Sequence, residues 1–349
     1  MTNALPPLPA QPATIPWPTG EWPEGPAPEG TDTHRLKTLL DEAFAAKETE
    51  LYGETHATLI VQGGRIVAER YGEGFDAATT CPSWSKGKSI TQALAGILVG
   101  DGKLDIHAPA DVPEWQSAND PRRPVTLDLL LRMSSGLAFR EDYVDGEQSD
   151  VIEMLWGKGK DDVAHFAASL PLEHAPGSFW SYASGTTNIV ARALARAIDA
   201  YGPDFERFMN ERLFGPIGIK SAKPKFDKAG TFIGSSFCYM TPRDFARFGL
   251  LYLRNGVWDG TRILPEGWVD YARTATFQQP GSEDSYGAHW WLGIAGKGSF
   301  SANGFEGQYT ALVPDKDLVI VRHGKTPLHL KDNTKNYVGE LAACFPAIQ

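Results

Sequence analysis

The chain has 349 residues, 42% of them hydrophobic and 22% charged. That is enough for a large core, in one big domain or two interleaved lobes. Lys and Arg number 33 against 43 Asp and Glu, a net charge of −10; with no basic cluster, this argues against nucleic-acid partners and anionic membrane surfaces. The longest apolar runs fall far short of a membrane span.

From Met1 to Gly30 the chain carries nine prolines and neither a basic nor an apolar leader region. It reads as an extended arm, wrapped on the body or disordered, rather than a secretory signal. Residues 33–52 follow as a helix with Leu36, Leu39, Leu40 and Phe44 on one stripe. A hairpin comes next, Ala57–Gln62 and Arg65–Tyr71 around Gly63-Gly64, because both turn positions of such a hairpin need positive φ. The widely spaced Cys81, Cys238 and Cys344 lack C-x-x-C or Cys/His spacing and read as reduced thiols of a cytoplasmic protein. Cys81 sits close enough to Ser85 to be a reactive thiol, the plainer account being a core cysteine.

Ser85-Lys86-Gly87-Lys88 opens a helix whose Ile90, Leu94, Ile97 and Leu98 share a stripe, with Gly100 and Gly102 closing it. Residues three apart on a helix are neighbours, so Ser85 and Lys88 meet in its first turn. A lysine whose pKa is lowered by burial can take the proton of a serine nucleophile. Free N–H groups at a helix start suit a developing oxyanion. A Ser-x-x-Lys match occurs about once by chance in a chain this long, and Ser83/Lys86 offers a second register.

Helical signals then dominate, at 125–133, 161–170, 186–200 and 203–213, and from Thr241-Pro242-Arg243-Asp244 to Gly256. Just before the 186–200 helix lies a turn-rich loop, Pro176–Gly185, that can aim Tyr182 into a cleft. A Tyr–Lys pair, with the cation lowering the phenol's pKa, is a sensible proton relay for a serine nucleophile. Strands return at 289–294, 299–302, 308–313 and 318–323, before a closing helix at 333–345. Ala302-Asn303-Gly304-Phe305 lies there, where interior glycines mark close backbone approach. The Phe305 and Ser85 N–H groups together would make an oxyanion hole. Strands at both ends with helices between predict an α/β chain of the α+β type. Terminal segments build one antiparallel sheet flanked by helices, and a mostly helical lobe is inserted.

These segments, with Leu129–Leu137, Leu170-Pro171-Leu172, Thr241–Gly249 and Gly260–Pro265, resemble the serine β-lactamase and penicillin-binding-protein superfamily. The resemblance runs from about 33 to 345, to the class C-related branch with its family VIII carboxylesterases and 6-aminohexanoate-dimer hydrolases. It implies a transpeptidase-like fold: an arm over 1–30, then one domain over 31–349 with an α/β lobe at about 31–80 and 285–349 and a helical lobe at about 81–284. It also selects Ser85/Lys88 over Ser83/Lys86, makes Ser85 the acylated nucleophile and Lys88 its base, and gives Tyr182 the proton shuttle. Two departures stand out. The family's Tyr-x-Asn is Tyr182-Ala183-Ser184 here, and Lys-Thr-Gly, whose cation steers a substrate carboxylate, is Ala302-Asn303-Gly304.

The expectation is therefore a serine hydrolase for small carboxylic esters. Trp84, Trp180, Trp290 and Trp291 are candidates for an apolar pocket, with Tyr143, Ser184, Asn303 and Gly304 as further substrate contacts. Tyr143 falls in the polar loop Glu141–Asp150 and is also a candidate lid, while His323 could approach the cleft from the last strand. A linear-amide hydrolase of the 6-aminohexanoate-dimer type, a weak β-lactamase and a non-catalytic binding homologue are the alternatives. No metal or organic cofactor is implied, the partner is a small ester or amide, and self-association into a homo-oligomer is left open.

Overall fold

The computed structural model describes residues 5–143, 149–276 and 285–348. The helices are α1 (Thr33–Ala43), α2 (Lys86–Gly100), α3 (Leu127–Leu131), α4 (Asp150–Leu155), α5 (Val163–Ala168), α6 (Ser184–Ile198), α7 (Pro203–Met209), α8 (Pro242–Leu253), α9 (Trp268–Arg273) and α10 (Lys331–Ala343). The strands are β1 (Glu54–Gln62), β2 (Arg65–Tyr71), β3 (Lys223–Pro224), β4 (Cys238–Tyr239), β5 (Val257–Trp258), β6 (Thr261–Arg262), β7 (Ser285–Tyr286), β8 (Trp291–Leu292), β9 (Phe300–Gly304), β10 (Gln308–Val313) and β11 (Leu318–Lys325). Seven strands form one antiparallel sheet in the order β2-β1-β11-β10-β9-β8-β7, so the two ends of the chain meet where β1 pairs with β11.

Alternation along the central strands sorts their side chains onto two faces. Leu59, Val61, Val319 and Val321 join the large core shared with α2, α6 and α8, whereas Ile60, Ala311, Leu318 and Ile320 meet α1 and α10 on the other side. Both faces are therefore covered, which is why β1 is buried continuously from Ala57 to Gln62. The Gly63-Gly64 turn has φ of +60° and +77°, as the hairpin reading requires.

Helix α2 is buried on every side from Lys86 to Leu98, so its polar residues need specific partners. Ser89 Oγ donates to the His289 carbonyl at 2.7 Å, and Gln92 accepts from the Tyr252 phenol. At its start, a Cβ on Gly87 would lie 2.6 Å from the Gly234 carbonyl, a backbone approach only glycine permits. Helix α8 begins as its sequence predicts, Thr241 Oγ1 accepting from the Asp244 N–H at 3.2 Å with Pro242 in the first turn.

The Pro-rich arm is wrapped along the body. Arg247 donates to the Pro18 and Gly20 carbonyls, both at 2.7 Å, and the Trp258 indole donates to Thr19 Oγ1 at 2.7 Å. Trp22 is buried, and its indole donates to the Arg243 carbonyl. The first helix is shorter than the stripe suggests: it stops at Ala43, and residues 44–52 turn back toward β1. Of the polar loop 141–150, residues 144–148 lie outside the described residues. Among the described residues no helix is long and apolar enough to cross a membrane.

Candidate active site

Ser85 sits immediately before α2, which packs against β9 and β10 of the sheet. Trp84 is held at φ +43°, an uncommon conformation for a bulky residue. The first turn of α2 closes tightly, Lys86 N–H to Ser83 O and Gly87 N–H to Trp84 O, and the Ser85 N–H lies outside that ladder. On the opposite wall, β9 ends at Gly304, and a Cβ there would stand 2.5 Å from the Ser83 carbonyl. That glycine lets the turn carrying Phe305 approach the corner at Ser83–Ser85. Glu306, next in line, has φ +60°, and its carboxylate accepts from the Trp84 indole at 3.1 Å.

The same turn is held from beneath by Arg322, fully buried on β11. Its guanidinium donates to the Glu306 and Gly307 carbonyls at 3.1 and 2.9 Å, and further to Tyr52 O, Glu54 O and Thr55 Oγ1. Burial draws its pKa down to about 10. Nothing in the sequence singles out Arg322, because a strand arginine carries no motif.

Lys88 Nζ lies 2.9 Å from Ser85 Oγ, 2.9 Å from Ser184 Oγ and 3.1 Å from the Ser235 carbonyl. Burial lowers its pKa from 10.5 to about 8, with nearby Glu141 working the other way. The Tyr182 ring is 4.8 Å from Lys88 Nζ. Burial first, then the Glu141 charge, raises the phenol's pKa, while a hydrogen bond with Ser85 opposes both. The phenol pKa therefore lies above its ordinary value, not below it as expected of a Tyr–Lys pair: desolvation and the Glu141 charge outweigh the hydrogen bonds with Ser85 and Trp291, and Tyr182 rests as the neutral phenol.

The second serine–lysine register is not a pair. Ser83 Oγ donates to the Ser236 carbonyl and accepts from the Cys238 N–H. Lys86 Nζ turns away, to His323 Nε2 at 3.0 Å and over the Phe245 ring at 3.2 Å. His323 is fully buried there, away from the cleft lining. Cys81 is buried too, and burial pushes its thiol up to about 11, the behaviour of a core cysteine.

A cavity of about 320 Å³ opens beside Ser85. Tyr143, Tyr182, Asn303, Gly304 and Phe305 line it. Tyr143 stacks on Phe305 with ring centres 5.0 Å apart, and its phenol donates to Glu141 at 2.7 Å. Trp291 lines the cavity, but Trp290 does not: it is fully buried against Phe248 and Tyr252, because neighbouring residues at a strand point to opposite sides. The Trp290 assignment is therefore corrected. Trp180 stands behind the wall against Tyr286 and Trp291, and Trp84 meets Phe305 edge-on at 5.9 Å, so both support the lining rather than form it. Ser184 is buried at the start of α6 and reaches Lys88 instead of the cavity. Glu141, which no sequence motif singles out, lines the cavity and binds Ser184. Among the described residues no group of His, Cys, Asp and Glu is arranged to hold a metal ion.

Comparison with known proteins gives a consistent set of relatives. The Beta-lactamase family model matches residues 44–338. A 6-aminohexanoate-dimer hydrolase of Paenarthrobacter ureafaciens is 27% identical over 290 residues, covering 78% of this chain and 73% of that protein. A Bacillus anthracis structure provisionally described as a 6-aminohexanoate-dimer hydrolase superposes with a TM-score of 0.76 at 22% identity, over 98% of this chain and 92% of its own. A family VIII carboxylesterase superposes with a TM-score of 0.67 at 12% identity, over 92% and 99% of the two chains.

Proposed function

From the premise that this chain belongs to the Beta-lactamase family, we propose that it is a serine hydrolase cleaving small carboxylic esters through an acyl-enzyme on Ser85. The observation that carries the reading is the buried Lys88 amine, 2.9 Å from Ser85 Oγ with its pKa drawn down to about 8. A lysine so placed takes a hydroxyl proton that a solvated lysine, ionised at neutral pH, would not.

The reaction follows from these positions. Ser85 Oγ attacks the substrate carbonyl while its proton passes to Lys88 Nζ. The oxyanion that forms is met by the Ser85 and Phe305 N–H groups, the latter on the turn pinned by Arg322. Tyr182, neutral at rest, gives its proton to the leaving alkoxide as the carbon–oxygen bond breaks. The tyrosinate then accepts a proton from water, whose oxygen attacks the acyl carbon, and Ser85 leaves with the proton held by Lys88. Both protons are thereby returned, and free acid and alcohol are the products. The cavity lining of Tyr143, Trp291, Leu292, Ile294 and Phe305 suits an apolar acyl or alcohol group.

Linear amides are the second reading, favoured by the match to the Paenarthrobacter hydrolase. An amide's amine leaves only when protonated, so it demands more of Tyr182 than an ester does. Without a cation at Ala302, recognition of a β-lactam carboxylate in the usual family manner has no counterpart.

The test is intact-mass labelling with a fluorophosphonate beside turnover of p-nitrophenyl acetate and butyrate, on wild type, Ser85→Ala and Ser83→Ala. A single adduct and turnover lost only in Ser85→Ala are expected. Labelling that survives Ser85→Ala, or never occurs, would overturn the assignment in favour of a binding protein. Matched ester and amide substrates with one acyl group separate the two hydrolase readings.

A further inference from the structure

We infer that Glu141 is a positioning residue of this site: through the Ser184 hydroxyl it dictates the direction of the hydrogen-bond chain that aims the Lys88 lone pair at Ser85. The inference rests on Ser85 being the nucleophile. Three donors converge on the Glu141 carboxylate. Oε2 accepts the Ser184 backbone N–H at 2.7 Å, and Oε1 accepts the Ser184 hydroxyl at 2.5 Å and the Tyr143 phenol at 2.7 Å. The single proton of the Ser184 hydroxyl is therefore committed to Glu141, and only lone pairs face Lys88, 2.9 Å away. The other fixed neighbour of the amine, the Ser235 carbonyl at 3.1 Å, can also only accept.

A neutral lysine amine has two protons and one lone pair. Its protons go to Ser184 Oγ and Ser235 O, so the lone pair is left facing the Ser85 hydroxyl at 2.9 Å. When the Ser85 proton arrives, the ammonium has three protons for three acceptors, and the Glu141 charge opposes the new positive charge across one hydroxyl. The same arrangement serves the base before and after transfer, which a serine alone in the family's asparagine position does not ensure.

Glutamine at 141 reverses the chain. The Ser184 backbone N–H cannot rotate, so the amide oxygen must take it, and the amide NH2 then faces Ser184 Oγ. The hydroxyl proton is released toward Lys88 and occupies the lone pair meant for Ser85. The charged or titratable groups facing Lys88 are Glu141, Tyr182 and His289, and burial holds His289 neutral with a pKa of about 3.

The experiment is the pH profile of kcat/KM for p-nitrophenyl butyrate in Glu141→Gln, Glu141→Asp, Ser184→Ala and Ser184→Thr, with melting temperatures and Ser85→Ala alongside. Glu141→Gln should fall about 100-fold, within the span of a lost general base, with its acid limb moved to lower pH. Ser184→Ala removes an acceptor without presenting a donor, so it should lose less than Glu141→Gln, with the acid limb also lowered. Glu141→Asp and Ser184→Thr should restore the wild-type limb. A carboxylate that merely caps α6 would lower the melting temperature and leave the pH profile in place; that result overturns the inference. If Glu141→Gln does not fold, a wild-type acid limb in Ser184→Ala overturns it equally. Loss of turnover in Ser85→Ala beside a wild-type profile in Glu141→Gln would sink this inference alone, whereas turnover surviving in Ser85→Ala would sink the Ser85 assignment itself.

Discussion

The depressed pKa of Lys88 makes activity and stability pull in opposite directions, and both can be measured. A lysine with a pKa of about 8 rather than 10.5 is a free amine in about one molecule in ten at pH 7, against about one in 3,000 for a solvated lysine. The difference corresponds to ~3 kcal/mol of desolvation. For wild type, kcat/KM with p-nitrophenyl butyrate should rise about tenfold per pH unit from about pH 6 and level off above about 8. The folded pKa lies below the unfolded one, so between about 8 and 10.5 the unfolded chain binds more protons and stability rises with pH. Below that window the full desolvation cost is present. Lys88→Met removes the cost and also the amine's three hydrogen bonds, each worth about 1 kcal/mol. The two nearly cancel. Lys88→Met should therefore melt within a few degrees of wild type at pH 7 while kcat/KM falls about 1,000-fold. A wild-type rate flat between about pH 6 and 8, or an acid limb that survives Lys88→Met, would refute the assignment of that limb to this amine.

Gly304→Ala brings a Cβ within 2.5 Å of the Ser83 carbonyl, a backbone atom that cannot swing away. The Phe305 turn must retreat, and kcat for the same ester should drop about 10- to 100-fold, in line with losing or displacing one oxyanion donor. A variant with wild-type kcat would remove Phe305 from the oxyanion site. Arg322→Lys keeps the charge but not the fork that reaches five acceptors; we expect a lower melting temperature together with a lower kcat, and a loss of stability alone would separate the arginine from the site. His289, buried with its pKa drawn down to about 3 by burial and the Lys88 charge, binds a proton below pH 6.5 only when unfolded. Stability should thus fall with pH below about 6.5, by up to about 1.4 kcal/mol per unit for this residue. Denaturant melts of His289→Gln across that range should show a shallower slope than wild type, and an unchanged slope would count against it.

What the sequence made legible was periodic or local. The first hairpin is marked by Gly63-Gly64 between two strand-like runs, and the pairing of the terminal segments by strands at both ends with helices between. The α2 and α8 starts are marked by chemistry within four residues, Ser85 to Lys88 and Thr241 to Asp244. Those signals depend on neighbours in the chain, so they survive without coordinates. The short helices α4 and α9, six residues each, are not marked in the sequence, whereas the comparably short α3 and α5 are flanked by stop signals, Ser134-Ser135-Gly136 and Pro171. Trp290 and Trp291 show the same limit from the other side: adjacent tryptophans look equivalent in sequence, and the pleat sends one into the core and the other to the cavity.

The residues that tune the site were the least legible, because their action crosses the chain. Glu141 reaches a serine 43 positions away, and Arg322 braces a turn 16 positions before it. Neither belongs to a motif, yet each has a reason to be charged that the fold supplies. Replacement of the family's Tyr-x-Asn by Tyr182-Ala183-Ser184 looks like a loss when read alone, since an amide offers both donors and an acceptor where a hydroxyl has one proton. With Glu141 committing that proton, the hydroxyl becomes a pure acceptor toward Lys88, which is what a neutral base beside Ser85 needs. The substitution and the carboxylate therefore form one unit. Restoring asparagine at 184 while keeping Glu141 should not improve turnover: its amide would have to fill a space sized for a hydroxyl, with Ser184 now buried at 1% exposure. A Ser184→Asn variant with a higher kcat/KM than wild type would show the pair to be independent.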